Sequence, residues 1–475
     1  MSSPTPLAGY TSYKGLPQLA GLCSVEEAAK PGLGVEECVR RLKRFHYAFK
    51  RLHQILTARI TSEPIYELKT GFAHHAYLCA EHVTALRTRI GEMREPPLGL
   101  EDVPHPALEV YFDEILAAPS TVALLYGVYS QAISALDSAC AKYGVETNPL
   151  TDAPSCRVLR FARIELADML AFGQKASNDL SVDGEDWQLN LEALLDAAGG
   201  LDGTQPESSE PIERFRSHSA KPYVYDPVPK RDERFTDPWN QGVNAESFLY
   251  NPAFPARPKA LMMLYKRLRE IDVPEMMASI ITQTPGKPWG YYRDMSRQLW
   301  DEARHAMMGE VGFVALGVDW TKAKITFNWS HRLNTECTPM ERHGVLYFIE
   351  QGLMPKTGKR YEFETGQATG LPLIATIQDF DWADEVLHSQ IGRVWYVPQF
   401  ESLKEALAYG DAAWSKVLSN WTTVKAQGLT NHENWWPAVY EMACKAEGVA
   451  PDPVVLAFDE TYEGKRADLQ RIAAE

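Results

Sequence analysis

The pattern Asp-Glu-x-x-His-x-x-x-Gly occurs twice in the chain, as DEARHAMMG from Asp301 to Gly309 and as DEVLHSQIG from Asp384 to Gly392. On an α-helix, residues three and four apart share a face, so each copy lines up its Glu, His and Gly as one stripe. Acid, imidazole and glycine are poor material for an apolar core. Two helices therefore present the same polar set, and the fold has to supply partners for it.

Helical periodicity of 3.6 residues runs through 35–60, 64–94, 106–144 and 155–176, with Pro/Gly signals such as EPPLG and VETNPLTDAP ending the segments. It returns through 258–283, 288–316, 338–354 and 371–396, followed by helices near 402–427, 433–447 and 458–474. Residues 177–255 are rich in Gly, Pro, Ser and charge and read as a connector with one short helix near 187–198. The expected organisation is all-α: one helical domain over 1–176, the connector over 177–255, and a second helical domain over 256–475. Within the second, PKTGKRYEFETGQATGLP reads as a polar loop, too long for an ordinary turn, that either covers a site or crosses the bundle.

Composition narrows the partners. A chain of 475 residues with net charge −15 and no concentrated Lys/Arg run argues against nucleic acid or an anionic membrane surface. No segment approaches the ~18 consecutive apolar residues of a membrane span, and the amino terminus lacks the basic start and apolar core of a signal peptide. The seven cysteines are scattered with no C-x-x-C pair, which fits reduced thiols and a cytoplasmic protein.

Two E-x-x-H motifs supply two carboxylates and two imidazoles. A carboxylate-bridged metal pair in a helical bundle needs two further carboxylates from facing helices. Upstream of the first motif the candidates are Glu270 and Glu275; upstream of the second they are Glu341 and Glu350. At 1.5 Å per residue, Glu275 lies ~15 Å and Glu302 ~21 Å from the Pro285-Gly286 turn, while Glu270, a further ~7.5 Å out, is about level with Glu302, so geometry alone does not choose between Glu270 and Glu275. Surroundings select Glu275, set among Met276, Met277, Ile280 and Ile281, and Glu350, set in VLYFIEQGLM. The expected ligands are thus Glu275, Glu302, His305, Glu350, Glu385 and His388. Hard oxygen donors with two imidazoles suit two iron ions, with Mn/Fe or Mn/Mn as variants, better than copper or structural zinc. Asp301 and Asp384 are placed to accept a hydrogen bond from the far nitrogen of a ligand His. Gly309 and Gly392 would let helices approach closely, because glycine in a helix costs about 1 kcal/mol against Ala and needs a packing reason. Tyr347, His343, Gln298 and Gln378 are candidates for a substrate pocket.

These residues carry a resemblance. The chain resembles the ferritin-like superfamily of carboxylate-bridged dimetal proteins, and residues 225–400 resemble a bacterial ferritin-like family of unknown function through PWGYYRDMSRQLWDEARH, the IEQGL stretch and DEVLHSQIG. The doubled Asp-Glu is also similar to soluble di-iron monooxygenases, where that Asp stands behind the ligands. The resemblance implies two ferritin-like helical bundles in tandem, the second carrying the dimetal site. The first would be a degenerate copy: Cys79-x-x-His82 and Glu165-x-x-Asp168 stand where E-x-x-H would be expected, with His74, His75 and Glu67 as a residual metal-binding set.

The function expected is an O2-dependent dimetal oxidase or oxygenase acting on a small organic molecule. No G-x-G-x-x-G fingerprint for a flavin or nicotinamide is present, so electrons would come from an external donor or from the substrate. A ferroxidase or iron-handling protein is the alternative, against which the long, decorated chain and the lack of Cys pairs for a rubredoxin centre both weigh. A homodimer is compatible with either.

Overall fold

The computed structural model describes residues 9–178, 185–206, 219, 221–240, 242–355, 358–418, 424 and 426–461. Among these residues the structure is all-helical, and the only β-type pairing is an isolated bridge between Val243 and Thr461. Of the helix expected at 458–474, residues from 462 onward lie outside the described residues. No described helix is long and apolar enough to cross a membrane. All seven cysteines are free thiols.

The chain forms two units, Met1–Leu56 with His75–Val224, and Thr57–His74 with Tyr225–Glu475. The stretch expected as a connector is thus divided between them. In the first unit the helices are α1 (Val35–Ser62), α2 (Tyr66–Met93), α3 (Pro106–Leu116), α4 (Thr121–Leu125), α5 (Ser134–Glu146), α6 (Ala153–Asn178) and α7 (Glu185–Ala197). Residues 57–74, the end of α1 and the start of α2, belong to the second unit. On α1, Leu42, Phe45, Phe49, Leu52 and Ile55 recur at helical spacing and are all fully buried, each such side chain contributing about 1.5–3 kcal/mol. The continuous helix expected over 106–144 is broken at Pro119, where Ser120 caps α4 by accepting from Ala123 N at 3.1 Å. A π-helical stretch, Tyr126–Ile133, then leads into α5.

The second unit holds α8 (Ala245–Tyr250), α9 (Ala256–Arg269), α10 (Asp272–Thr282), α11 (Trp289–Ala315), α12 (Asn328–Glu336), α13 (Pro339–Gly352), α14 (Lys359–Ala368), α15 (Pro372–Trp395), α16 (Leu403–Leu418) and α17 (Trp436–Glu447). Helices α9 and α10 pack on α11, α11 on α15, and α13 on α15 and α16. Three elements differ from expectation, and each bears on the site. First, 258–283 is two helices. Pro274 has no amide hydrogen for the Glu270 carbonyl and its ring would collide with that carbonyl in a continuous helix, so α9 stops at Arg269. The Glu270 carbonyl accepts from Val273 N instead, at 3.0 Å. Second, α12 fills a stretch that carried no assignment. Third, the polar loop is largely the helix α14, packed on α15 and α9. Glu341, weighed as a ligand, proves to be half of a capping box at the start of α13: its carboxylate accepts from Thr338 N at 2.7 Å while Glu341 N donates to Thr338 Oγ1 at 3.2 Å.

The glycines of the repeat mark close helix contacts. A Cβ on Gly309 would fall onto the Leu268 backbone of α9, one on Gly312 onto the Leu264 side chain, and one on Gly392 onto the Tyr347 ring of α13. Gly352, at the end of α13, has open space instead. Gly309→Ala is therefore expected to destabilise the second unit by about 1–3 kcal/mol through overpacking, overriding the ~1 kcal/mol that Ala gains in helix propensity. Gly352→Ala should be neutral or mildly stabilising. Urea unfolding of both variants checks this, and equal midpoints would remove the packing role of Gly309.

Candidate metal centre

The two copies of the repeat lie on α11 and α15, and α13 brings Glu350 to them. Among the described residues, two groups bring their ligand atoms within 4.8 Å of one another: Glu302, Glu350, Glu385 and His388, and Glu270, His305, Asp381 and Glu385. Glu385 belongs to both. Glu302 also spans them, with one oxygen 3.2 Å from His388 Nδ1 and the other 3.6 Å from His305 Nδ1. The two imidazole centroids are 5.9 Å apart. Every member is buried except Glu270, whose side chain is 18% exposed.

The imidazoles are oriented by carboxylates from the opposite repeat. His305 Nε2 lies 3.0 Å from Asp384 Oδ2, and His388 Nε2 lies 3.4 Å from Asp301 Oδ2. A carboxylate only accepts, so each Nε2–H donates and each Nδ1 turns inward. Arg304 ties the two aspartates together, its guanidinium 2.5 Å from Asp301 Oδ1 and 2.7 Å from Asp384 Oδ2, while Arg297 Nε adds a contact to Asp301 Oδ2 at 2.9 Å.

The interior of the cluster is under-satisfied. His305 Nδ1, His388 Nδ1, Glu270 Oε2, Glu350 Oε2 and Glu385 Oε2 are buried and make no hydrogen bond. The imidazole Nδ1 atoms face the carboxylates at 3.2–3.8 Å without hydrogen-bond alignment. Buried polar groups are normally paired, and leaving several unpaired is costly. A donor set of inward oxygens and neutral-capable imidazole nitrogens fits divalent metal ions. The protonation balance agrees: burial and the nearby Glu385 and Glu302 push the Glu350 carboxyl well above its ordinary pKa. Burial alone would depress His305, but Asp384, Glu270 and Glu302 hold it up at about 10.

Protein cations reach one side of the cluster. Lys359, the first residue of α14 and 1% exposed, has Nζ 2.9 Å from both Asp381 Oδ1 and Glu385 Oε1, and 3.9 Å from Glu270 Oε1. Arg267 donates to Glu270 Oε1 at 2.8 Å and pairs with Asp381. Lys266 pairs with the fully buried Glu362 of α14.

Of the residues expected here, Glu302, His305, Glu350, Glu385 and His388 come together, and Asp301 and Asp384 stand behind the imidazoles. Glu275 does not join them. It is fully buried in an ion network with Lys69 and with Arg231, whose NH2 lies 3.0 Å from Glu275 Oε2. Ser330 Oγ donates to the same oxygen at 2.7 Å. The apolar neighbours that favoured Glu275 report burial, and burial is equally well satisfied by these cations. Glu270 takes the place expected for it. The signal for Glu270 was Pro274, and that for Asp381 was its position four residues before Glu385 on the same helix face; Lys359 had no comparable signal.

A cavity of ≈190 Å³ opens onto the cluster, with Glu270, Glu302, Glu350, Glu385 and Lys359 along one side and Val273, Met276, Leu333, Leu346, Ile349 and Trp414 among its apolar walls. None of the four expected pocket residues lines it. Gln298 Nε2 instead donates to Glu350 Oε1 at 3.1 Å. Gln378 is buried near Gly366. Tyr347 and His343 pack against Tyr396, at 5.5 and 5.3 Å between centroids. In the first unit, His82 pairs with Glu165 at 2.7 Å and His75 Nδ1 lies 2.8 Å from Tyr129 OH. In the second, Glu67 pairs with Arg234 at 2.6 Å and His74 stacks on Trp300 at 4.3 Å between centroids. These residues do not gather into one group.

Comparison with known protein families, with curated proteins and with solved structures finds no match to this chain.

Two expectations follow from the geometry. Glu275→Gln should destabilise the fold by about 3–5 kcal/mol, because it breaks a buried ion network, yet leave the metal content of the folded protein unchanged. Glu270→Gln should lower metal content with a smaller effect on stability. Urea unfolding combined with metal analysis of the folded fraction separates them, and the reverse outcome would return Glu275 to the ligand set. Asp384→Ala should weaken metal binding about 10–100-fold, the usual effect of losing a carboxylate that orients a ligand imidazole; an unchanged affinity in a metal titration would remove that role.

Proposed function

We propose that the second unit is a ferritin-like dimetal bundle and that the chain is an O2-dependent oxidase or oxygenase of a small organic molecule. The first unit is then its degenerate counterpart. The observation carrying the proposal is the set of buried, unsatisfied oxygens and imidazole Nδ1 atoms facing one another between α11, α13 and α15. Glu302, Glu350, Glu385 and His388 would hold one ion and Glu270, His305, Asp381 and Glu385 the other. Iron is the metal we favour, given hard carboxylate donors with two imidazoles, and Mn/Fe or Mn/Mn pairs satisfy the same donors. Two such ions supply redox chemistry with O2 that side chains lack.

The chain's own residues do the rest. Asp301 and Asp384 keep each imidazole in the orientation that exposes Nδ1, with Arg304 holding both aspartates. Gln298 positions Glu350 through its hydrogen bond. Met276, Leu333, Leu346 and Ile349 give the cavity walls that exclude water and accept an apolar substrate beside the carboxylates. Seven free thiols accord with a reducing, cytoplasmic setting. Electrons would come from an external donor or from the substrate.

The test is stopped-flow mixing of O2 with anaerobically iron-loaded protein, with and without a panel of small apolar organic compounds. We expect iron to bind and O2 consumption to accelerate with a matching compound. Iron oxidation that needs no organic compound and continues to many ions per chain would make this an iron-handling protein. Failure to retain any metal would sink the metal reading altogether.

A further inference from the structure

The two groups of ligands carry the same kinds of side chain but opposite electrostatic settings. In the group Glu302, Glu350, Glu385 and His388, Lys359 beside the shared Glu385 is the one described lysine or arginine within ion-pair distance, and Glu350 accepts from the neutral amide of Gln298. Around Glu270, Asp381 and Glu385 two fixed cations are already seated. Arg267 pairs with Glu270 and Asp381. Lys359 places Nζ 2.9 Å from Asp381, 2.9 Å from Glu385 and 3.9 Å from Glu270, touching three of the four residues of that group. The ammonium thus places a positive charge among the same carboxylates that a divalent ion would use, while Glu270 Oε2, Glu385 Oε2 and His305 Nδ1 stay unsatisfied.

Building on the metal reading above, we propose that Lys359 makes the two positions unequal: a first divalent ion fills Glu302, Glu350, Glu385 and His388, and a second enters Glu270, His305, Asp381 and Glu385 only as the Lys359 side chain withdraws. The route for withdrawal is present, since Lys359 also lines the ≈190 Å³ cavity beside the cluster. Its backbone is anchored at the start of α14, so the movement is confined to the flexible side chain. Occupancy of the second position is thereby coupled to the cavity: whatever fills the cavity restricts the space into which Lys359 can move, and a cavity-bound anion would draw the ammonium out. The mixed-charge lining makes Lys359 a control on the dinuclear state.

The experiment is anaerobic titration of the full-length, metal-free protein with Mn(II), counting bound ions by the loss of the free-ion paramagnetic resonance signal and by elemental analysis. The wild type is expected to take one ion tightly and a second at least about tenfold more weakly, because bringing a dication against a seated ammonium is repulsive over a few ångström. Lys359→Met, which keeps length and removes charge, should tighten the second ion by about tenfold or more, and the bound ions should then show spin coupling at stoichiometric metal. Lys359→Arg should keep the second ion weak. Two ions of equal affinity in the wild type, or a second-ion affinity unchanged in Lys359→Met, overturns the inference while leaving the metal reading intact. No Mn(II) binding at all overturns both. The wild-type titration decides the matter even where Lys359→Met fails to fold.

Discussion

The interior of the second unit is arranged around buried carboxylates. Removing an ionised carboxylate from water costs several kcal/mol even after a protein relaxes around it, so each of Glu270, Glu302, Glu350, Glu362, Asp381 and Glu385 has to be answered by a cation, a proton or a metal. Side-chain cations answer part of this set. The last turn of α9 supplies Lys266 and Arg267, α14 supplies Lys359, and burial beside Glu385 and Glu302 raises the pKa of Glu350. What these leave unanswered is concentrated between His305 and His388, and that residue of unmet polarity is the physical content of the candidate site.

Helix proximity makes such a cluster feasible. Carboxylates on different helices share an imidazole only if the backbones come closer than ordinary side chains permit. Gly309 and Gly312 bring α11 against α9, and Gly392 brings α15 against Tyr347 of α13. Each glycine lies near a ligand on the same helix, so packing and site geometry are set together. The apolar core around Leu264, Leu268, Phe313 and Trp436 then fixes the frame on which the polar centre hangs.

The helical class and the Glu and His candidates of the repeat on α11 and α15 are legible in sequence because both signals are local: 3.6-residue periodicity for the first, i to i+3 spacing for the second. Glu350 is legible from its apolar neighbours, and Asp381 is not picked out. What was not legible depends on partners far apart in the chain. Glu275 and Glu270 are both acids in a buried stretch, and which of them faces the cluster is decided by Pro274 interrupting the helix and by Lys69, some two hundred residues earlier, claiming Glu275. Lys359 sits in a polar stretch that reads as a loop covering a site or crossing the bundle. Its burial follows from pairing with Asp381 and Glu385, which no property of PKTGKRYEF by itself indicates.

The crossed pairing of Asp384 with His305 and Asp301 with His388 explains why the pattern is written twice. The acid at the far nitrogen of each imidazole comes from the other helix and not from the Asp four residues earlier on its own. Each repeat therefore supplies one helix with its Glu and His and the other helix with its orienting Asp. Arg304 closes the arrangement by pairing with both aspartates at once. A single copy of the motif would leave its His without the orienting acid that the facing helix supplies. The pair is the unit in which each imidazole Nε2 finds an acid, and the mutual dependence couples the two helices.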